Sequence, residues 1–309
     1  MFSRAAEGIG SAEALGAALA RWCAAYDYRV RPAGGNRIEL LLPHRPALPW
    51  HRPLARWRIA RRGEASGAYE PVATAAFDFF AERMPHAPFL DIGAEIGYFA
   101  RIAAAHEGLS MPVHAVEMNP AAVERLQAGA AELGLSRIRA HLAGMSDAQR
   151  GEREIWYSIT RMFEEEPPPA AYRDPPWIRL KFRLKGRPER DRLRRARVRI
   201  DSVDALCARE GLRPGLVKMD IDGYEARALP GAMETLARDR PVLMLELHRR
   251  RFLAPHGATR EGVVAPLFAL GYSALHCSNH LSLRRNRFTV VGPGHPLIRR
   301  ESTDLVLFV

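Results

Sequence analysis

Short apolar segments alternate with amphipathic helical segments through most of this chain, and the alternation restricts the folds that it can adopt. Apolar runs near 88–92, 112–117 and 137–143 predict strands, and the segments 97–106 and 119–133 between them predict helices. A strand that is followed by a helix and then by another strand lies parallel to it, with a right-handed crossover. This part of the chain therefore predicts an α/β fold with a mostly parallel sheet.

The alternation is interrupted at about 160–196 and then resumes. The later strands and helices are predicted at 197–200, 201–211, 215–220, 241–248, 259–269, 272–277, 288–292 and 304–309, with a helical stretch that ends near 238. Near the start, a helix at 11–25 precedes the strand "RIELLLP" and the proline-broken loop "PHRPALPWHRP". We therefore expect an N-terminal extension over 1–68 and an α/β domain with an insert over 69–309.

Positive charge is concentrated in the insert. Residues 179–199 contain 11 Lys or Arg and 2 acids, which leaves only +2 of the net charge of +11 for the rest of the chain. In "IRLKFRLK", four apolar residues alternate with four cations: Ile178, Leu180, Phe182 and Leu184 with Arg179, Lys181, Arg183 and Lys185. This period predicts a strand with one apolar and one cationic face, and "RVRI" repeats it as the second strand of a hairpin. The cationic face either points into water or recruits an anionic acceptor or an anionic membrane surface.

Other sequence features predict a cytoplasmic protein. No apolar run approaches the ~20 residues of a membrane-spanning helix, and the first 26 residues lack the apolar core and cleavage site of a signal peptide. The cysteines Cys23, Cys207 and Cys277 are few and widely spaced. We expect them to be small core residues in a reducing compartment, and not the ligands of a zinc cluster.

The loop in "FLDIGAEIGYFA" follows the first predicted strand, where open α/β sheets bind their ligands. The candidate cofactor-binding residues of this loop are Asp91, Gly93, Ala94, Glu95 and Gly97. A dinucleotide-binding loop has a glycine where Glu95 stands, because the pyrophosphate must approach the backbone there. The Glu95 carboxylate would repel a pyrophosphate but attract the sulfonium and ammonium groups of S-adenosylmethionine. The loop therefore favours S-adenosylmethionine over NAD.

Polar residues at the ends of the second and third strands complete this predicted cofactor site. Glu117 ends the second strand 20 residues after Gly97, where a carboxylate meets the two ribose hydroxyls in nucleotide-binding folds. Its alternative role is that of a solvated acid at a strand end. Ser146 and Asp147 follow the third strand, where they could meet the edge of an adenine.

The ends of the fourth and fifth strands carry the candidate catalytic residues. His248 ends "LMLELH", with Glu246 two residues earlier on the same face, and is the candidate general base. Asp220 is the competing base or a cofactor-side acid, and Lys218 lies on the same strand face. The alternative roles are structural. Lys218 would pair with Asp222 or Glu225, and Glu225 would interact with the dipole at a helix N-terminus.

Two further possibilities at these strand ends are weaker. His276 and His280 in "LHCSNH" line the next strand end as additional candidate bases. Asp220 and Asp222 together could hold a divalent cation, but no third ligand is evident from the sequence, so we expect no metal.

Several of these segments resemble one known family. "FLDIGAEIGYFA", "HAVEMNP", "VRIDSVDAL", "VKMDIDGYEARALPGAMETLARDRPVLMLELH" and "DLVLFV" look like an FkbM-type S-adenosylmethionine-dependent methyltransferase over residues 69–309. The resemblance implies a Rossmann-like class I methyltransferase with a seven-stranded, mostly parallel sheet and helices on both faces. It also implies O-methylation of a hydroxyl on a sugar, glycan, glycolipid or natural product. The family usually has Asn at position 95 and Glu at position 222, so the contacts of these two positions are not implied. It also usually lacks the insert, so the identity of the acceptor is not implied.

Other functions stay open at this point. An NAD-dependent oxidoreductase is disfavoured by Glu95 and by the acids around Asp220. A nucleic-acid methyltransferase would suit the basic segment, but "DIDG" stands where an N-P-P-[YF]-type motif would be, so we expect no stable nucleic-acid partner. A non-catalytic protein on a decayed methyltransferase fold is disfavoured by the intact set of acids. We do not predict an oligomeric state.

Overall fold

One mixed β-sheet organises the part of the chain that the structure describes. The structure is a computed structural model that describes residues 9–26, 70–106, 108–158, 162–163, 165–167, 193–280 and 282–309. Within these ranges the strands are β1 Phe89–Ile92, β2 Val113–Glu117, β3 Ile138–Met145, β4 Gly151–Tyr157, β5 Met162–Phe163, β6 Arg194–Asp201, β7 Leu216–Met219, β8 Val242–Leu247, β9 Ala274–Cys277, β10 Phe288–Val291 and β11 Asp304–Phe308. Their order across the sheet is β10-β9-β11-β8-β7-β1-β2-β3-β6-β4-β5.

The expected mostly parallel, seven-stranded sheet is wrong in strand number and direction. In the described residues the sheet has eleven strands, and five of its ten strand pairings are antiparallel. The parallel pairings are confined to β8, β7, β1, β2, β3 and β6. A parallel neighbour requires a long crossover, usually a helix. The ten residues between β9 and β10 contain no described helix, so β10 returns antiparallel to β9.

The α-helices of the described residues occupy most of the predicted helical segments. They are α1 Ala12–Ala25, α2 Pro71–Ala81, α3 Tyr98–Ala105, α4 Pro120–Glu132, α5 Val203–Glu210, α6 Glu225–Ala228, α7 Met233–Asp239, α8 Arg250–Leu253 and α9 Arg260–Ala269, with short 3-10 turns at Leu229–Ala232 and Ala254–His256. Side chains of Ser11, Asn119, Ser202 and Thr259 cap α1, α4, α5 and α9 by accepting backbone N–H groups. Such caps satisfy donors that a helix start leaves free and therefore fix where these helices begin. In the described residues no helix is both long and apolar enough to cross a membrane.

Helices cover both faces of the sheet because successive strand residues point to opposite sides. In β1, Phe89 belongs to an apolar cluster with α1, α2 and α3, whereas Leu90 belongs to a second cluster with α5, α7 and α9. Every residue of α2 is buried, and its Phe77 packs edge-on against Phe89 and Phe99, with ring centroids 4.8 and 5.9 Å apart. This double cover keeps the sheet rigid and leaves its strand ends to form a site.

The N-terminal helix and the cysteines lie as the sequence predicts. Helix α1 packs against α2, β9 and β10, and Trp22 Nε1 donates a 2.8 Å hydrogen bond to the carbonyl of Ala75. Cys23, Cys207 and Cys277 are buried and free. The predicted strand "RIELLLP" and the proline-broken loop after it lie outside the described residues, and the division at residue 68 stays a prediction.

Two paired strands, β4 and β6, flank the insert, and the sequence predicted only β6. Strand β6 contains the predicted strand "RVRI", with Val198 buried between exposed Arg197 and Arg199. It lies parallel to β3 and antiparallel to β4, a strand that we did not predict. The alternating segment 178–185 lies outside the described residues, so its pairing as a hairpin with β6 stays a prediction.

Candidate active site

The candidate site lies where the sheet order reverses. Strand β1 has β2 on one side and β7 on the other, so the connections after β1 and β7 leave in opposite directions. Open α/β sheets bind ligands in the crevice beyond the strand carboxyl ends at such a point. The ends of β1, β2, β7 and β8 bring together nearly all of the predicted site residues.

The loop between β1 and α3 passes very close to the end of β7. Gly93 has φ of 80°, and a Cβ atom at this position would lie 1.8 Å from the Asp220 carbonyl oxygen. Only glycine fits such an approach. Glu95 also has a positive φ, 49°, which Asn adopts more readily than Glu. The unusual Glu95 of this chain therefore occupies a position that suits the family's usual Asn.

Glu117 holds this loop from the end of β2. Its Oε2 accepts the Glu95 amide at 2.9 Å, and its Oε1 accepts the Asn119 amide at 2.7 Å. Burial raises the pKa of Glu117, and the amides of Asn119 and Glu95 act in the opposite direction. A carboxylate has about four lone-pair positions, and the amides of Glu95, Met118 and Asn119 leave part of this capacity open for a ligand. The loop-holding contacts could not be predicted from the sequence.

Asp91 is a buried acid at the end of β1. Asp91 is 1% exposed, and the Ala100 amide faces its carboxylate, but no side chain of the described residues donates a hydrogen bond to it. Burial raises the pKa of Asp91 to about 7, although the nearby Lys218 charge opposes the shift. Burying a carboxylate without a side-chain partner is costly, and a cationic ligand would lower this cost.

Ser146 and Asp147 interact directly at the end of β3. Ser146 Oγ donates to Asp147 Oδ1 at 2.9 Å, and Arg150 Nη2 lies 2.5 Å from the same oxygen. The hydrogen bonds from Arg150 and Ser146 lower the pKa of Asp147. Ser146 is buried and Asp147 is partly exposed, so the pair lies at the rim of the site.

Lys218 and Asp220 form an ion pair at the end of β7. Lys218 Nζ lies 3.0 Å from Asp220 Oδ2 and 4.8 Å from the centre of the Phe99 ring. Burial alone would lower the pKa of Lys218, but Asp220, Glu70 and Asp91 together raise it. Burial would raise the pKa of Asp220, but Lys218 outweighs it and holds this pKa below its ordinary value. Both groups of the pair are therefore charged at neutral pH.

His248 is enclosed by carboxylates. Its Nδ1 lies 2.9 Å from Glu225 Oε1 and 3.1 Å from the Glu246 carbonyl oxygen. Its Nε2 lies 3.4 Å from Asp222 Oδ1 and 3.9 Å from Asp220 Oδ1. Burial would lower the pKa of His248, but the carboxylates of Asp222, Glu225 and Glu246 raise it to about 10. The ring therefore carries a proton at neutral pH in this arrangement, and a general base must first lose it.

Two acids of the site were not among the predicted site residues. Glu246 lies beside Asp220, and its pKa is raised to about 9, first by burial and then by the charge of Asp220. Glu70, the residue before α2, raises the pKa values of Asp91, Lys218 and Glu246 through its charge. The position of Glu246 two residues before His248 was a usable sequence signal, whereas Glu70 gave none.

The other two candidate histidines make contacts of their own. His276 is fully buried, and its Nε2 lies 3.5 Å from Asp304 Oδ1, which also accepts a hydrogen bond from Ser302. The carbonyl of His280 accepts the amide of Val72 at the start of α2. Neither contact involves the ion pair of β7, so the strand-end cluster is centred on Asp220 and His248.

Comparisons with known proteins give one family and several distant structural likenesses. The profile of the methyltransferase FkbM domain matches residues 91–264, more than half of the 309-residue chain. The methyltransferase FkbM from Methylobacillus flagellatus KT has a TM-score of 0.40 and 14% identity, over 84% of this chain and 59% of that one. This chain therefore spans less than two thirds of that protein.

Two other solved structures show weaker overall similarity. A SAH-bound methyltransferase from Podospora anserina has a TM-score of 0.31 and 12% identity, over 76% of this chain and 70% of that one. A geranyl diphosphate methyltransferase in complex with GPP and sinefungin has a TM-score of 0.37 and 14% identity, over 95% and 97%. No match was found among curated protein sequences. Because the profile match extends from Asp91 into α9 and includes the strand ends described above, the chain belongs to the methyltransferase FkbM family.

Proposed function

We propose that the protein transfers a methyl group from S-adenosylmethionine to a hydroxyl of a sugar, glycan, glycolipid or natural product. Membership of a methyltransferase family disfavours the alternative of an NAD-dependent oxidoreductase. The observation that carries the choice of cofactor is the buried carboxylate of Asp91 beside the tight glycine loop, to which no side chain of the described residues donates a hydrogen bond. S-adenosylmethionine supplies a cationic sulfonium with an electrophilic methyl group, which suits an acid-rich site better than a pyrophosphate does.

The residues around the glycine loop fit the parts of this cofactor. Glu117 would accept the two ribose hydroxyls with the lone pairs that its backbone contacts leave open. Ser146 and Asp147 would meet the adenine edge at the rim. Gly93 and Ala94 would keep the backbone close to the ligand, and Asp91 would supply negative charge facing the cationic groups.

Asp220, Lys218 and His248 would handle the acceptor. Transfer to a hydroxyl requires that its oxygen be held in line and that its proton leave. Asp220 is ionised and is oriented by Lys218, so it is the first candidate to take the proton. His248 Nε2 is the second, after it has lost its own proton. The two routes differ in pH dependence, and that difference decides between them.

The insert and β6 would recruit an anionic acceptor. Arg194, Arg195, Arg197 and Arg199 are all exposed on β6, although Arg195 lies 3.3 Å from Glu154 Oε1. Exposed cations raise the local concentration of an anionic ligand, and salt screens the effect. An anionic membrane surface that carries the acceptor would be attracted in the same way.

Calorimetric titration tests the cofactor choice. Metal-free protein in EDTA is titrated separately with S-adenosylmethionine, S-adenosylhomocysteine and NAD. We expect binding of the first two at one per chain and no binding of NAD. Binding of NAD alone would refute the proposed function.

A further inference from the structure

The side chains of Asp220, Glu246 and His248 have the composition of a metal site. One ligand-type atom from each lies within 4.8 Å of the others. An ion at ~2.1 Å from its ligands would need to draw these atoms together by about 1 Å. No third ligand beside Asp220 and Asp222 is evident from the sequence. The fold supplies two further ligands, Glu246 and His248, from the end of β8.

The orientation of the His248 ring is that of a metal-bound histidine. Its Nδ1 faces Glu225, which is 0% exposed, and the Glu246 carbonyl, at 2.9 and 3.1 Å. A ligating histidine commonly donates one ring N–H to a carboxylate or carbonyl, which fixes the tautomer and leaves the other nitrogen for the ion. Here the remaining nitrogen, Nε2, faces Asp220 and Asp222.

Acidic side chains outnumber cationic ones around this ring. Among the described residues, six acidic side chains surround two cationic ones, Lys218 and His248; the acids are Glu70, Asp91, Asp220, Asp222, Glu225 and Glu246. Glu225 Oε2 is buried without a hydrogen-bond partner in the described chain, although the other oxygen of that carboxylate contacts His248. Glu246 and His248 hold protons at neutral pH in the free site, so an ion that binds there would release the Glu246 carboxyl proton and the His248 Nε2 proton.

We propose that Asp220 Oδ1, a Glu246 carboxylate oxygen and His248 Nε2 bind one divalent first-row transition ion such as Mn²⁺ or Zn²⁺. The mixed nitrogen and oxygen donors favour such ions over Ca²⁺ and Mg²⁺, which take mainly oxygen ligands. Asp220 Oδ2 keeps its contact with Lys218, so one carboxylate connects the ammonium group to the ion. Asp222, with a side chain 86% exposed, offers a further oxygen on the solvent side.

The ion would activate the acceptor hydroxyl, a step that rests on the proposed function. A hydroxyl bound to a divalent cation loses its proton more readily. The oxygen then forms a bond to the methyl carbon as the carbon–sulfur bond breaks. The electron pair of that bond stays on sulfur as a neutral thioether, and the proton leaves to solvent past exposed Asp222.

A second group of possible ligands provides the control. His114, His141 and Glu210 also place ligand-type atoms within 4.8 Å of one another. Arg139 lies 2.8 Å from Glu210 Oε2, and Arg209 Nε lies 3.6 Å from Glu210 Oε1. These guanidinium groups compete with an ion for the carboxylate, so we expect the histidine pair, 3.0 Å apart, to be structural.

The site is tested by titrating the protein with Mn²⁺ alone. Binding is measured as the loss of the electron paramagnetic resonance signal of the free ion. Wild-type protein and His141→Ala should bind one Mn²⁺ per chain. Glu246→Gln, which mimics a protonated carboxyl, and His248→Gln should abolish this binding. Glu225→Gln should weaken it by roughly 10-fold or more, because it removes a support of the ligand. Thermal melting would identify any variant that fails to fold. If His248→Gln fails to fold, folded Glu246→Gln decides whether these residues bind the ion.

Three outcomes would overturn the metal site. They are no Mn²⁺ or Zn²⁺ binding by the wild type, unchanged binding in folded Glu246→Gln, and binding lost in His141→Ala but kept in His248→Gln. Methyl transfer that continues in EDTA with no metal bound would also refute the ion's role while leaving the proposed function intact. A protein that binds Mn²⁺ but not S-adenosylmethionine would instead refute the proposed function.

Discussion

Asp91→Asn should make the free protein more stable in a pH-dependent way. Burial raises the pKa of the folded-state Asp91 carboxyl to about 7, from an ordinary value of 3.8. The folded chain therefore holds this proton over a pH range in which the unfolded chain has lost it. Stability of the wild type must fall as pH rises through this range, and the cost is complete only above pH 7. Asparagine carries no such proton and escapes the cost.

The two pKa values set the size of the effect. Linkage predicts that the stability gap in favour of Asp91→Asn widens by up to ~2.5 kcal/mol between pH 5 and pH 8. The widening is more informative than the gap itself, because any fixed cost of the buried amide cancels between the two pH values. The charged Asp91 lowers the stability of the free protein but would attract the cationic ligand. Asp91→Asn should therefore also bind S-adenosylmethionine more weakly.

Urea unfolding at pH 5 and pH 8 in EDTA measures the gap. Glu124→Gln is the matched control, because Glu124 is an exposed acid on α4 and should show no change with pH. A gap that stays constant or narrows as pH rises would refute the argument that Asp91 is a desolvated carboxyl with an elevated pKa.

Three further predictions concern the cofactor and the acceptor. Glu117→Gln should weaken S-adenosylhomocysteine binding in calorimetry by about tenfold or more, since hydrogen bonds to a charged group contribute ~1.5–3 kcal/mol; unchanged affinity would exclude the ribose contact. If methyl transfer proceeds with no ion bound, its rate should be flat above neutral pH if Asp220 takes the proton, but should rise toward pH 10 if His248 does, because its raised pKa keeps it protonated below that value. Arg197→Glu with Arg199→Glu should raise the KM for an anionic acceptor at low salt and leave cofactor affinity unchanged.

A matched charge reversal controls the last of these. Arg284 and Arg285 are exposed outside β6, so Arg284→Glu with Arg285→Glu changes the net charge equally. We expect it to affect KM much less. An equal effect of both pairs would mean that overall charge, and not the face of β6, attracts the acceptor.

The sequence predicted the helices and strands near the site well because their periodicity is strong. Strands β1 and β2 and helices α3 and α4 begin and end within about one residue of the predicted bounds. Strand β4 was missed because "GEREIWY" exposes its first four residues, three of them charged, and buries only Ile155 and Tyr157. The antiparallel pairings of β9, β10 and β11 were missed because apolar periodicity carries no information on strand direction.

The sequence predicted where the candidate site lies better than it predicted the protonation and the contacts of its residues. The rule that ligands bind at strand carboxyl ends gathered Asp91, Glu117, Asp220 and His248 correctly around one edge. Whether His248 carries a proton depends on its distances to side chains from α6, from β8 and from the loop between β7 and α6, which a linear pattern does not contain. Glu70 precedes β1 by a whole helix, and only the fold brings its charge to the site.

Transfer of a labelled methyl group tests the central claim most directly. The protein is incubated with S-adenosylmethionine bearing a deuterated methyl group and with an extract of its host, and the products are analysed by mass spectrometry. We predict that a hydroxyl-bearing small molecule or glycan gains one labelled methyl group with wild-type protein and with Glu124→Gln, but not with folded Asp220→Asn. Label that appears equally with Asp220→Asn, or only on nucleic acid, would contradict the account.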